Sequence, residues 1–323
     1  MMPRHFVRLL LFLLLLLSGH AIAADDVHAW LKKMHEAAQR LDYEGVFVYQ
    51  HGNQLEAMRI VHKVEKGMVR ERLISLNGAP REIVRNEREV LCYLPDENSV
   101  VVEHRKTDDK GFPAIMPERL AELGGYYTMQ LGRTERVAGR PAQPLSIQPR
   151  DGFRYGYRLW ADHDTGLLLK ADLTDGKGKV LEQFMFTQIQ VGTVPASALQ
   201  PDNPGKGMAW YREGDAVSSA EPGGKSWTAA RLPKGFKLTR QVWRMVPMRQ
   251  KKVEHLVYSD GLATVSVFVE KIDPNTKPGM EGLSNMGAVH AYVMRADGHQ
   301  VTTVGEVPAE TVTLIAKSVG PMR

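Results

Sequence analysis

The side chains of this 323-residue chain that could do chemistry are dispersed, and no spacing joins them into a catalytic set. His28 and His35 stand two turns apart, while His51, His62, His104, His163, His255, His290 and His299 are scattered. None has the close pairing of a zinc site. There is no HExxH, GxSxG or P-loop. Asp162 and Asp164 in DHDTG resemble the opening of a calcium loop, but further ligands and a closing Glu are missing. With Asp151 they read as turn residues that cap backbone N–H groups. Cys92 is the single cysteine, so no intrachain disulfide can form. Within VLCYL it reads as a buried strand residue rather than a nucleophile. The residues therefore name no catalytic group, no metal ligand and no cofactor. A hydrolase built from dispersed Ser, His and Asp has no positive support, and the chemistry left is that of binding.

Charge gives the binding reading its first location. Residues 24–200 hold 24 basic and 25 acidic side chains, whereas residues 201–323 hold 16 basic and 12 acidic. From Trp227 to Val253 there are Arg231, Lys234, Lys237, Arg240, Arg244, Arg249, Lys251 and Lys252 and no carboxylate. Such a run is either a solvated face or a docking surface for an acidic peptide or an anionic lipid headgroup. Arg231, Lys234, Arg240, Arg244, Arg249, Lys251 and Lys252 are the candidate partner-binding residues.

The start of the chain speaks for export. Arg4 and Arg8 precede a leucine-rich run from Leu9 to Leu17, and Ala21-Ile22-Ala23 offers small residues two apart. This is the pattern of a cleavable signal peptide over 1–23, with a mature chain from Ala24. Nine apolar residues are too few for a spanning helix, which needs ~20. No cysteine follows the cut to carry a lipid anchor. Export also removes nucleic acid from the list of partners.

The elements that must position these residues fall into two units. Val27, Trp30, Leu31, Met34, Ala38 and Leu41 recur at helical spacing behind Asp25-Asp26, which can cap a helix start at about Val27, and this predicts one amphipathic helix. Strands separated by short turns follow: GVFVYQ, LEAMRIVHKV, MVRERLISL, EIVRN, EVLCYL and SVVVEH. Pro117 opens a short helix, PERLAEL. Strands then resume as YYTMQLGRTERV, PLSIQP, FRYGYRLW, LLLKADLTD and VLEQFMFTQIQV. Connections this short join antiparallel neighbours, and so many strands must curl. The expected fold class is α+β: a curved antiparallel half-barrel sheet with plugging helices over 24–200. A linker over 201–226 and a smaller α+β domain over 227–323 follow. In the second unit Asp260-Gly261 and Asp297-Gly298 signal hairpins, and Pro308-Ala309-Glu310 opens a helix. The half-barrel interior is either a packed core or a cavity for a lipid-like ligand. Trp30, Leu31, Met34, Val46, Val48, Leu73, Leu120 and Leu123 are the candidate lining residues. Strand parity puts Val46 and Val48 on one face and Phe47 and Tyr49 on the other, without saying which face is concave.

The string YRLWADHDTGLLLKADLTDGKGKVLEQFMFTQIQ resembles the closing part of the lipoprotein-carrier fold of the LolA/LolB type. Together with GVFVYQ, WTAARLPKGFKL and VYSDGLATVSVFVE, nearly the whole mature chain resembles the RseB/MucB family of sigma-factor regulatory proteins. The leucine-rich leader and the tail GAVHAYVMRADGHQVTTVGEVP are nearest to the pseudomonad branch. The resemblance implies a periplasmic, non-catalytic negative regulator. Its partner would be the periplasmic segment of a membrane-spanning anti-sigma factor (RseA/MucA-like), shielded from site-one proteolysis. Lipopolysaccharide or another acylated lipid would release it, freeing the envelope-stress sigma factor and, in pseudomonads, alginate production. A lipid or lipoprotein carrier is the alternative, and a homodimer stays open.

Overall fold

The computed structural model describes residues 19–104, 123–212, 217–218, 226–246, 251–273 and 281–322. Helix α1 (Gly19–Arg40) leads the first unit. Its strands begin with β1 (Tyr43–His51), β2 (Gln54–Glu65), β3 (Met68–Ser75), β4 (Glu82–Arg85), β5 (Glu89–Leu94) and β6 (Ser99–His104). They continue with β7 (Tyr127–Leu131), β8 (Glu135–Val137), β9 (Arg140–Pro149), β10 (Gly156–Asp162), β11 (Leu168–Thr174) and β12 (Val180–Val191). The helix starts before Val27, so Asp25 and Asp26 lie inside it instead of capping it. Its inward stripe is Val27, Leu31, Met34 and Ala37, all buried.

The strand spacing read from turns holds, with two local differences. Residues 132–134 split the expected strand YYTMQLGRTERV into β7 and β8, and both pair with β9. The expected turn AGRPAQ contracts to Ala138-Gly139, both at positive φ, and β9 begins at Arg140. The helix predicted at Pro117 lies outside the described residues except for its last position, Leu123.

The sheet runs β6-β5-β4-β3-β2-β1-β12-β11-β10-β9-β7, with β8 attached to β9 and one further strand beyond β6. Two antiparallel meanders are thus joined at the middle, where β1 pairs with β12. A sheet this wide curls, and α1 lies in the curve. Gly45 marks the tightest point of the β1–β12 pairing. A Cβ there would stand 2.6 Å from Gln188 O and 2.9 Å from the Phe186 ring.

The segment read as a linker carries two strands. β13 (Ala209–Arg212) runs parallel to β6 on the outer edge of the first sheet. β14 (Val217–Ser218) pairs with the second sheet at Arg244 and Trp243. The second unit contains β15 (Trp227–Ala229), β16 (Lys237–Val246), β17 (Lys251–Ser259), β18 (Thr264–Lys271) and β19 (Gly282–Met286). After them come β20 (Val289–Ala296), β21 (His299–Gly305), α2 (Ala309–Ala316) and β22 (Val319–Pro321). The order of the second sheet is β14-β16-β17-β18-β21-β20-β19, and β15 pairs separately with β22. Asp297 and Gly298 both take positive φ in the tight β20–β21 turn, as a two-residue hairpin of matching twist requires. Val312 and Ile315 of α2 pack into a core with Val265, Val267, Leu256 and Val301.

Candidate functional site

Parity in β1 decides which side chains line the curve. Tyr43, Phe47 and Tyr49 belong to the first core, and Phe47 meets Phe184 and Phe186 at ring distances of 5.1 and 5.9 Å. Val46 and Val48 therefore lie on the outer face, half-buried, opposite Gln188 and Met185 of β12. This corrects their assignment as lining residues. VFVY is apolar on both faces, so the sequence pattern could not orient it. Leu31, Met34 and Leu123 are on the inner side and fully buried, with relative exposures of 0%, 2% and 0%. Around α1 the interior is thus a packed core. Trp30 is half-buried at its margin, with Lys33 Nζ 4.8 Å from its ring centroid. Leu120 lies outside the described residues.

The other arm of the half-barrel is different. Tyr43 stacks on His62 at 4.5 Å, and His62 Nδ1 lies 3.0 Å from Glu71 Oε1. Arg85 Nη1 stands 3.3 Å from the other oxygen of Glu71. Beyond this polar row, register aligns Leu73 with Ile83, Ile83 with Cys92, and Cys92 with Val101. All four are half-buried apolar side chains and form a strip on the inner face. Leu73 was legible in the sequence. Ile83, Cys92 and Val101 were missed, and alternation along EIVRN, EVLCYL and SVVVEH finds them once Leu73 fixes the face. Burial raises the Cys92 thiol above its ordinary value, which disfavours the reactive thiolate.

The mouth of the curve is closed by the second unit. Ala288, in the β19–β20 turn, is buried within the first core, and Leu262, in the β17–β18 turn, packs against it. Arg154 anchors this contact. Its Nη1 donates to Asp260 Oδ2 at 2.6 Å, its Nη2 donates to the Lys234 carbonyl at 2.7 Å, and Asp151 takes two further bonds at 3.1 Å. Tyr127 Oη also donates to Asp260, at 3.0 Å. The guanidinium is enclosed by the rings of Tyr126, Tyr127 and Phe236, with centroids 5.2 to 5.5 Å away. Gly235 permits this approach, since it takes φ +92 and a Cβ would meet the Tyr126 ring at 2.6 Å. Thr311 Oγ1 donates to Phe153 O at 2.7 Å and ties α2 to the same seam.

The basic run does not form one surface. Arg231 and Lys234 are exposed in the loop before β16, beside the domain contact. Arg231 lines a shallow groove of about 500 Å³ with Phe153, Leu283, Thr313, Leu314 and Lys317. Arg240 and Arg244 lie along β16, Arg244 pairing with Val253. Lys251 and Lys252 open β17 opposite Val246 and Met245, and Lys252 is exposed. Ten strand residues, ~33 Å, separate the two ends of the run. Arg249 lies outside the described residues. Asp162 behaves as a turn residue. Its Oδ1 accepts from Thr165 N and Oγ1 at 2.8 Å, and Arg140 pairs with its other oxygen. Burial pushes this carboxyl up, but the bonds from Arg140 and Thr165 outweigh it and hold it below the usual range.

Similarity spans nearly the whole chain. The family model described as the MucB/RseB N-terminal domain matches residues 26–203, and that described as the MucB/RseB C-terminal domain matches residues 221–320. The sigma factor AlgU regulatory protein MucB of Pseudomonas aeruginosa is 35% identical over 319 residues, covering 97% of this chain and 96% of that protein. The sigma-E factor regulatory protein RseB of Escherichia coli K12 is 29% identical over 307 residues, covering 94% of each. A crystal structure of MucB in complex with periplasmic MucA superposes with a TM-score of 0.70 at 33% identity, covering 92% of this chain and 99% of that one.

Proposed function

From the premise that the chain belongs to the MucB/RseB family, we propose that it is a periplasmic, non-catalytic negative regulator of an envelope-stress sigma factor. It holds the periplasmic segment of a membrane-spanning anti-sigma factor and shields it from site-one proteolysis. The observation that carries this reading is full-length likeness to a relative solved in complex with periplasmic MucA. The signal peptide over 1–23 and the domain division at 24–200, 201–226 and 227–323 are parts of the same proposal. Among the described residues, no helix is long and apolar enough to cross a membrane.

The shape of the first unit supports release by lipid. The strip Leu73, Ile83, Cys92 and Val101 is the proposed acyl-chain surface, since the core around α1 is already filled. The same curved sheet receives Ala288 and Leu262 from the second unit. A chain that spreads the sheet works against that seating and so favours one domain arrangement over the other. A 100-fold loss of partner affinity needs about 2.7 kcal/mol of coupling. A few methylenes supply it, at about 0.8 kcal/mol each. The separated basic groups divide the partner surface, with Arg231 and Lys234 at the seam and Arg240, Arg244, Lys251 and Lys252 along the β16–β17 hairpin; Arg249 belongs to the same proposal by its place in the sequence.

The test is a titration of the mature protein with its anti-sigma periplasmic segment, repeated with lipopolysaccharide. Tight binding that weakens with lipid is expected. Tight binding indifferent to lipid would leave the regulator and remove the lipid switch. No binding would overturn the reading in favour of a lipid or lipoprotein carrier.

A further inference from the structure

Two carboxylates from different domains meet at the seam. Glu306, just after β21, is in hydrogen-bond contact with Glu182 of β12. Glu182 Oε1 accepts from the backbone N–H of Ala288 at 3.4 Å, the residue seated in the first core, and Oε2 accepts from the Tyr49 hydroxyl. Tyr157 Oη lies 3.5 Å from Glu306 Oε2 and donates to it. Both glutamates are half-buried. The tyrosines can give each carboxylate a proton to bond to, but two carboxylates in contact need one further proton between them. Two negative charges at this separation repel, and burial strengthens the repulsion.

Among the described residues, the charges named around the pair do not relieve it. Glu56 acts on Tyr49 from β2, with His51 Nε2 3.5 Å from that carboxylate. Asp260 acts on Tyr157 and is itself bound by Arg154. Glu310 of α2 and Asp175 of the β11–β12 turn act on Tyr155. His290 of β20 stands 3.4 Å from the Tyr155 hydroxyl, and its Nδ1 is 2.9 Å from the Val307 carbonyl.

We propose that Glu182 and Glu306 form a proton-sharing latch between the two domains, so that the docked arrangement tightens on acidification and loosens as the medium turns alkaline. Burial and then the charge of Glu182 push the Glu306 carboxyl up from its ordinary 4.5 to about 7 in the docked arrangement. A carboxyl raised in this way favours docking fully below its ordinary value. The advantage is lost as pH rises through about 7, where Glu306 takes on its charge. The latch depends only on the geometry of the seam and not on the identity of any partner. A ligand that prefers one arrangement inherits its pH dependence.

The test reads the Ala288 amide, whose bond to Glu182 opens with the latch. Hydrogen exchange by NMR on the full mature chain, corrected for intrinsic rates, gives its protection at each pH. Between about pH 5.5 and about pH 8 the protection is expected to fall by roughly 25-fold, the linkage value for this shift. In Glu306→Gln, which keeps a hydrogen bond but not the titration, protection should be the same at both pH values. Glu182→Gln, which removes the neighbouring charge but leaves Glu306 buried, should shrink the fall without abolishing it, and decides the matter where Glu306→Gln does not fold. Flat protection in the unmodified chain would overturn the latch, as would an undiminished fall in either variant.

Discussion

Arg154→Met removes the guanidinium at the seam and keeps most of the side chain's stem. The lost bonds are those to Asp260, to both oxygens of Asp151 and to the Lys234 carbonyl, together with three ring contacts. What remains is the Asp260 carboxylate, fully buried, with the Tyr127 hydroxyl and its own turn amides at Leu262 and Ala263 as partners. Breaking a buried pair from one side costs about 3–5 kcal/mol, largely because the other charge is stranded. Neutralising that charge as well, in Arg154→Met with Asp260→Asn, should recover about 2 kcal/mol relative to the sum of the single losses. Urea unfolding followed by tryptophan fluorescence and circular dichroism measures all four corners of the cycle. The single Arg154 variant should also separate one cooperative transition into two, since the bonds between the units carry that cooperativity. A loss under about 1 kcal/mol, or strictly additive losses, would refute the view that this pair fastens the domains.

Three further outcomes follow from local geometry. Phe47→Ala should cost about 3–5 kcal/mol and Val48→Ala well under half of that, because only Phe47 faces the packed interior; thermal unfolding of the two variants checks it. Asp162→Asn should cost about 1–3 kcal/mol at neutral pH. The wild-type carboxyl is held below its usual range, so its contribution is complete above the ordinary aspartate value and is lost as pH falls through the lowered one; acid titration of stability should be flatter in the variant. Cys92 should react with iodoacetamide near neutral pH more slowly than a small free thiol, and should approach the free rate in urea, because burial raises its thiol.

The hairpins were legible because each turn is local. Gly and Asp residues punctuate strands whose partners are next in sequence, and β1 to β6 can be read almost residue by residue. The β1–β12 pairing was not legible, since Phe47 and Phe186 are far apart in the chain and nothing local declares that the first and last strands meet. The same distance hid the seam. Arg154 and Asp260 look like ordinary turn neighbours until the fold brings them to 2.6 Å. The basic run shows the opposite failure. Residues close in sequence were grouped as one surface, but an extended strand carries Arg231 and Lys252 to opposite ends of the sheet. Charge counting sees composition, and β16 converts composition into length.

The short strands β13 and β14 set a mechanical limit on any rearrangement. One is bound to the edge of the first sheet and the other to the edge of the second, and Arg212 and Val217 are five residues apart along the chain. Fully stretched, that stretch spans no more than about 18 Å. The two units are therefore on a leash at this corner, however freely they part at the Arg154 seam. Their relative movement must be a swing about the leash. Wide separation would require one of the two strands to peel from its sheet first, which would expose the bare edge of β6 or of β16.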